Sequence, residues 1–571
     1  MEKQSSTGYP SVDRPWIKYY SEKIINAKLP ECSLYEYLYE NNKEHLNEIA
    51  IEYFGKRITY GTLFEQIDTV AKAFLTQGVA PGDIVSIVSL TCVTSILCFY
   101  ALNKIGAVSN FINVLASEEE LIQYFSDAKS KLIVILNVFG EKVVPAAKAA
   151  NVKKIIVYSL SEWMPIGTKI GFQIKMHKMD TNLMKEDLVM PWNAFLKSGS
   201  TVKLDSDYRK NADELGFLAH TGGTTGFPKS VMVSDRAMNA VAHQYKLCMA
   251  YKRGQVFLGI LMPFVMYGIL IGTHIPLCLG LTLSIIPKFE FDQWPVYFKK
   301  NHPNHIAAIP AILSPLLEDS GMKAVDLSAL ITVASGGDGM DVSLENKLNA
   351  FLAAHGSKAK IIKGYGLTEV CATAVTGFAN CNKIGSIGIP MVANNVKIVR
   401  EGTLTECAVE EPGEICLLCP SVMLGYGTEN GDDENPFHVH EDGERWFHTG
   451  DLGYIDKDGF LFLVGRMKRQ IVVQMNGGAY KIYPNQIERI ILSVETVHSA
   501  CVVGIKEQKD MRLGAFIISD EPDINGLEAR LRALCEEKLP DYMRPTKYVF
   551  IERMPLTPVG KIDYRALEER I

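Results

Sequence analysis

Residues 214–230 read ELGFLAHTGGTTGFPKS, an apolar run, Glu214–His220, that breaks into a loop of three glycines, three threonines and a proline. The run is short enough for a buried strand. Gly222, Gly223 and Gly226 let successive backbone N–H groups converge on one anion, and Thr221, Thr224 and Thr225 add hydroxyl donors. Lys229 contributes a mobile positive charge just before Ser230. The GxxxxGK[ST] spacing of a Walker A loop is absent. Covered α/β sheets bind ligands at loops that follow strand ends, so this stretch predicts both the fold class and an anion site within it.

The same grammar recurs on both sides. Upstream, Tyr60–Gly78 carries Leu63, Ile67, Val70, Ala71 and Phe74 on one helical face, and Pro81-Gly82-Asp83 turns the chain into the apolar run Ile84–Leu90. Thr94–Gly106 reads as a further helix and Leu132–Leu136 as a buried strand. Downstream, Ala237–Tyr251 reads as a helix, and Ile306–Ile309, Ala329–Ala334 and Ala359–Ile362 as strands that end in polar or glycine-bearing loops. Fully apolar strands alternating with helices predict a covered, mainly parallel sheet.

From about Gly388 the texture changes to short strands and turns: Val396–Val399, Glu414–Leu418, Trp446–Leu452, then Gly453–Asp456 and Phe460–Val464 about an Asp458-Gly459 hairpin. After the charged break Arg466-Met467-Lys468-Arg469, Asn485–Leu492 and Asn525–Leu539 read as helices and Ala500–Ile505 and Gly514–Ile518 as strands. The expected fold class is α/β, with a large multi-subdomain N-terminal domain of mixed sheets and a β-rich part, followed by a small α+β C-terminal domain.

Composition narrows the partners. The 571 residues are 47% hydrophobic, and 59 basic against 65 acidic residues give a net charge of −6. That balance offers no global attraction for nucleic acid or an anionic membrane. The N-terminus lacks an apolar signal segment, and the scattered cysteines fit a reduced compartment, so a cytoplasmic location is expected. Residues 256–287 carry no Lys, Arg, Asp or Glu. Pro263, Pro276 and several glycines interrupt them, so buried strands and a core helix are expected rather than a membrane span. Cys416 and Cys419, followed by His438 and His440, lack zinc-finger spacing, and Glu414–Leu418 is expected to be a strand rather than part of a metal site.

Five segments, taken in order, carry a family resemblance: the 221–230 loop, Gly364-Tyr365-Gly366-Leu367-Thr368-Glu369, Thr449-Gly450-Asp451, Gly465-Arg466-Met467-Lys468, and Pro555-Leu556-Thr557-Pro558-Val559-Gly560-Lys561. Over roughly residues 50–570 the chain resembles the adenylate-forming superfamily of acyl-CoA synthetases, nonribosomal peptide adenylation domains and luciferases. The resemblance implies an adenylation domain over residues 1–467, its β-rich part at about 388–467, and a mobile lid over 468–571.

It also implies roles. Thr221, Gly222, Gly223, Thr224, Thr225, Gly226 and Lys229 would hold the β- and γ-phosphates of ATP. Tyr365 would lie near adenine, with Gly364, Gly366 and Asp338 also at the nucleotide. Thr368 would touch the α-phosphate or the carboxylate, and Glu369, with Thr224, would ligate Mg2+. Asp451 would accept the ribose hydroxyls, Arg466 would add a ribose or phosphate contact, and Lys468 would sit at the hinge. Lys561 would pair with the carboxylate and α-phosphate during attack. The acid pocket would draw on Asn239, Met266, Ser335, Gly336, Cys371 and Ala372.

The chain departs from the family pattern in places. Gly222 stands where many members have Ser, and Ser230 where many have Gly. Pro263-Phe264-Val265-Met266-Tyr267-Gly268 lacks the aromatic-plus-His pair of many relatives. Gly477-Gly478-Ala479-Tyr480 has Ala479 at a usual glycine of a loop that serves the thiol substrate. The expected reaction is ATP-dependent activation of a fatty or aromatic carboxylic acid to acyl-AMP, with transfer to coenzyme A. Loading of a separate carrier protein and a catalytically weak ATP-binding sensor are the alternatives. The chain ends ten residues after Lys561, so no fused carrier domain is expected.

Overall fold

The computed structural model describes residues 7–570 except 206–207, 222–228, 379, 428–434, 476–477, 508–509 and 557–561. Two large sheets dominate the N-terminal part. Across the first, the strand order is Gly425–Tyr426, Ser230–Ser234, Leu215–His220, Val108–Ile112, Ile84–Val88, Leu132–Leu136, Ile155–Tyr158 and Val189–Pro191. It is parallel from Leu215–His220 onward. The second runs Ile389–Pro390, Val375–Thr376, Ile361–Tyr365, Thr332–Ser335, His305–Ala308, Val256–Gly259, Thr282–Ile285, Ile49–Tyr53 and Lys56–Thr59.

Helix Tyr60–Thr76 starts where the Thr59 side chain caps the Thr62 N–H, and it buries Leu63, Ile67, Val70, Ala71 and Phe74 as its period requires. Helix Val93–Lys104 is buried from Val93 to Asn103, so its polar Asn103 needs partners. It donates to the Asp235 carboxylate and accepts the Tyr35 N–H. The apolar stretch 256–287 resolves into strand Val256–Gly259, a π-helical segment Tyr267–His274, the short helix Ile275–Cys278 and strand Thr282–Ile285. Among the described residues no helix is long and apolar enough to cross a membrane.

Two readings of the sequence needed correction. Ser230, placed in the loop, begins the antiparallel strand Ser230–Ser234, with Ala219 opposite Val231 and His220 opposite Ser230. Every residue of this strand but Met232 is buried, so it shows no alternation of burial. Second, residues 445–455 form one strand, Arg445–Ile455, with an irregularity between Leu452 and Gly453 rather than two strands. A Cβ at Gly453 would meet the Phe462 carbonyl oxygen at 2.5 Å, so only glycine lets the two arms approach there.

The β-rich part is the antiparallel sheet Asn395–Val399, Gly413–Leu418, Arg445–Ile455 and Phe437–Val439, with Leu461–Arg466 also paired to Arg445–Ile455. Gly459, at φ +96°, turns that last hairpin. Beyond it, helices Pro484–Ile491 and Ile524–Lys538 cover strands Val497–Glu507, Asp510–Ser519 and Lys547–Phe550. Ile487, Ile491, Val502, Ala515, Ile517, Leu527 and Leu531 make a separate core for this smaller α+β domain. It meets the larger one through Lys481 on Glu401 (2.5 Å), the Tyr483 hydroxyl on Glu401 (3.2 Å) and Arg489 on the Leu463 carbonyl (2.6 Å).

Candidate active site

Three strands deliver the candidate residues from their carboxyl ends, where open α/β sheets bind ligands. Leu215–His220 leads into Thr221, Thr332–Ser335 into Gly336-Gly337-Asp338, and Ile361–Tyr365 into Gly366-Leu367-Thr368-Glu369. The Thr221 N–H donates to the Lys229 carbonyl at 3.0 Å, so the two residues that flank the glycine-rich segment are held together. Gly222, Gly223, Thr224, Thr225 and Gly226 within it lie outside the described residues, as do Gly477 and Lys561. His220 is half-buried, its Nε2 is 2.6 Å from Asn110 Oδ1, and desolvation lowers its pKa to about 3. A neutral ring therefore stands at the loop's root.

The structure brings Tyr365, Asp451 and Arg466 together. Tyr365 donates its hydroxyl to Asp451 Oδ2 at 2.8 Å, and Arg466 Nε lies 2.7 Å from Oδ1. Asp451 is only 3% exposed, whereas the Arg466 side chain is about half exposed. Burial, then the Asp451 carboxylate, raises the Tyr365 pKa well above the ordinary phenol value, which keeps the hydroxyl protonated as a donor. Asp451, chiefly, raises the Arg466 pKa. Gly450, at φ +69°, makes the turn before Asp451, and the Thr449 hydroxyl is tied to the Ile415 carbonyl at 2.8 Å. A carboxylate accepts through about four lone-pair directions, so beside Tyr365 and Arg466 it keeps acceptor positions for the hydroxyls of a ribose diol.

Thr368 and Glu369 open a short 3-10 turn, Thr368–Val370, that ends on two non-glycine residues in the left-handed region, Cys371 (φ +55°) and Ala372 (φ +70°). Such conformations cost of order 1–3 kcal/mol each and concentrate at functional sites. Gly366 permits this turn: a Cβ there would meet the Ala372 carbonyl oxygen at 2.2 Å. Glu369 Oε1 accepts the Tyr426 hydroxyl at 3.0 Å, and Lys229 Nζ sits 4.8 Å from the centre of the same ring. Tyr426, which sequence reasoning missed, thus joins the loop base to Glu369. It stands in a two-residue strand paired with Ser230–Ser234, too short for periodicity to reveal. The partly buried Glu369 carboxylate beside the loop base fits a hard cation such as Mg2+, which takes oxygen ligands.

The candidate acid-pocket residues separate into two groups. Met266 and Ser335 are buried, and Gly336 lies against Tyr267, where a Cβ would meet the ring at 3.2 Å. Ser335 Oγ is buried without a partner. Asn239, by contrast, is fully buried, with its amide donating to the Cys32 and Ser33 carbonyls and its oxygen 3.0 Å from His274 Nε2. Asp338 is exposed and accepts the N–H of its neighbour Gly339 at 2.8 Å. Lys468 is exposed in the short turn Met467–Arg469 that follows the last strand of the β-rich sheet.

Comparison with known proteins bears on family and fold. Residues 38–427 match the AMP-binding enzyme family model, and residues 486–561 match the AMP-binding enzyme C-terminal domain. The chain is 27% identical to a long-chain-fatty-acid–CoA ligase of Bacillus subtilis over 97% of its own length and 98% of the relative. It is 27% identical to a 2-succinylbenzoate–CoA ligase of Bacillus cereus over 91% and 95%. An anthranilate CoA ligase crystallised with anthranoyl-AMP shares the fold at a TM-score of 0.79 and 19% identity, over 95% of this chain and 98% of that one. With 38–427 spanning the anion loop, the Tyr365–Glu369 segment and the sheets that carry them, the chain belongs to the AMP-binding, adenylate-forming enzyme family.

Proposed function

We propose that this protein activates an apolar fatty or aromatic carboxylic acid with ATP and passes the acyl group to coenzyme A. The observation that carries the nucleotide half is the buried Asp451 carboxylate between the Tyr365 hydroxyl and Arg466. The apolar acid is supported by the buried Met266 and by Tyr267 lying against Gly336. The named relatives are CoA ligases, which favours coenzyme A over a carrier protein as acceptor.

In the first step the acid needs no general base, because it is already ionised at neutral pH. One carboxylate oxygen forms a bond to the α-phosphorus, and the bond to pyrophosphate breaks. Thr368 and Lys561 would compensate the charge that builds between the carboxylate and the phosphate, and Asp451 and Tyr365 would fix the nucleoside. Mg2+ held at Glu369 and Thr224 would supply charge neutralisation on the phosphates. In the second step the thiol sulfur forms the thioester bond, AMP leaves, and the thiol proton passes to solvent. We place the domain boundary at Lys468, where the smaller domain would turn between the steps.

The test is pyrophosphate release across a carboxylic-acid panel, with and without coenzyme A. Release that depends on fatty or aromatic acids, with acyl-CoA formed when the thiol is added, is the expected result. Release driven only by amino acids overturns the acid class. Acyl-AMP without acyl-CoA overturns the acceptor.

A further inference from the structure

The β-rich sheet holds a cluster of ligating side chains that none of the roles above uses. Its register sets Cys416 directly opposite His448 on neighbouring antiparallel strands, so both side chains leave the same face. His440 follows strand Phe437–Val439, on the other side of Arg445–Ile455, and its N–H closes the hairpin on the Glu444 carbonyl. Cys416 Sγ and one ring nitrogen of each histidine lie within 4.8 Å of one another, and the two Nε2 atoms are 2.9 Å apart. Cys416 is fully buried and His440 is 4% exposed.

We infer that Cys416, His440 and His448 form a zinc site, with His448 oriented by Glu414. Zinc takes sulfur at about 2.3 Å and imidazole nitrogen at about 2.0–2.1 Å in a tetrahedron. Those bonds set ligand atoms about 3.3–3.6 Å apart, which small side-chain adjustments reach from the observed positions. Glu414 Oε2 is 2.9 Å from His448 Nδ1, the carboxylate partner that orients a metal-bound imidazole and leaves its other nitrogen for the ion.

Without metal the two Nε2 atoms share one hydrogen bond, and two polar atoms are poorly satisfied. Among the described residues His440 Nδ1 is buried without a partner, and the Cys416 thiol has only a long contact to the Glu414 carbonyl, at 4.0 Å. Charge also balances. Lys397 is neutralised by Asp442 at 2.5 Å, so the Glu414 carboxylate and a Cys416 thiolate together match one divalent cation. On binding, the thiol proton goes to solvent, the proton held between the two Nε2 atoms moves to His440 Nδ1, one Zn–S and two Zn–N bonds form, and water fills the fourth position. The group differs from the one that sequence spacing singles out, because the third ligand is His448 and neither Cys419 nor His438 takes part. Glu414 Oε1 also accepts the Gly450 N–H at 3.0 Å, so the ion would brace the turn before Asp451 from behind.

The full-length protein, stripped with chelator and repurified, is titrated with Zn2+ by calorimetry and with Co2+ by absorption spectroscopy. One tight equivalent is expected, with a sulfur-to-cobalt charge-transfer band that disappears in Cys416→Ser. His440→Gln should abolish tight binding, Glu414→Gln should weaken it about 10- to 100-fold, and His438→Gln should leave it unchanged. Circular dichroism checks that each variant is folded. Should Cys416→Ser fail to fold, the wild-type cobalt spectrum decides, since tight binding without a sulfur band overturns the site. Absence of stoichiometric uptake by the folded wild type, or equal uptake in His440→Gln, also overturns it.

Discussion

Asp451→Asn tests the nucleotide reading most directly, because it changes charge and donor pattern while keeping shape. Both carboxylate oxygens receive a donor, the Tyr365 hydroxyl on Oδ2 and Arg466 Nε on Oδ1. An asparagine at this position has a single acceptor oxygen and a donor NH2, so one of those two donors must face another donor. A hydrogen bond to a charged group is worth about 1.5–3 kcal/mol. The half-exposed Arg466 lies in water-screened surroundings, so we add no separate Coulomb contribution for it. If the ribose hydroxyls use the same carboxylate, the ATP KM rises by that amount, roughly 10- to 150-fold, since 1.4 kcal/mol is tenfold. The KM of the acid should stay within about twofold, because Asp451 would contact only the nucleoside. The assay is acid-dependent pyrophosphate exchange with ATP varied at saturating acid, alongside a thermal melt to show that the variant is folded. A folded variant with unchanged ATP KM, or one whose acid KM rises instead, refutes the reasoning.

Gly366→Ala should sharply reduce pyrophosphate exchange in a protein that still folds, because its Cβ would meet the Ala372 carbonyl at 2.2 Å and force the Thr368–Ala372 turn apart; full activity would show that the turn is not needed. Lys210→Met should destabilise the fold by about 3–5 kcal/mol in urea titration, since it strands the fully buried Asp235 carboxylate that Lys210 meets at 3.1 Å. Adding Asp235→Asn should recover part of that loss, and no recovery would place the cost in packing. Burial lowers the pKa of His220 and His274 to about 3 and of His305 to about 4, against about 6.5 when unfolded. The unfolded chain therefore binds more protons, so the stability from these neutral rings is complete above about pH 6.5 and drains away as pH falls toward 4 and 3. Each ring contributes a slope of up to about 1.4 kcal/mol per pH unit, and urea midpoints at pH 7 and 5 should differ accordingly, less so in His305→Gln.

Local physics made much of the architecture legible. Leu132–Leu136 is a strand with the bounds its apolar run suggests, and Tyr60–Thr76 follows its helical face to within two residues. Both depend on periodicity within one segment. Ser230–Ser234 escaped because its pairing with Leu215–His220 lies across the loop, and a five-residue run beside Gly, Pro and Lys carries little period of its own. Tyr426 and Tyr267 escaped for a related reason. Each matters for what it touches, Glu369 in one case and Gly336 in the other, and both partners are distant in sequence.

By itself the sequence determined most of the strands and helices and the motifs that identify the family, because these depend on residue type and spacing along the chain. The tertiary structure decided which distant groups meet. It joined Tyr365, Asp451 and Arg466, tied Asn239 into the core, and set His448 rather than Cys419 beside Cys416 and His440. Those outcomes depend on strand register and burial. A shift of one residue in pairing turns a side chain to the opposite face of a sheet, and only the folded chain fixes that register.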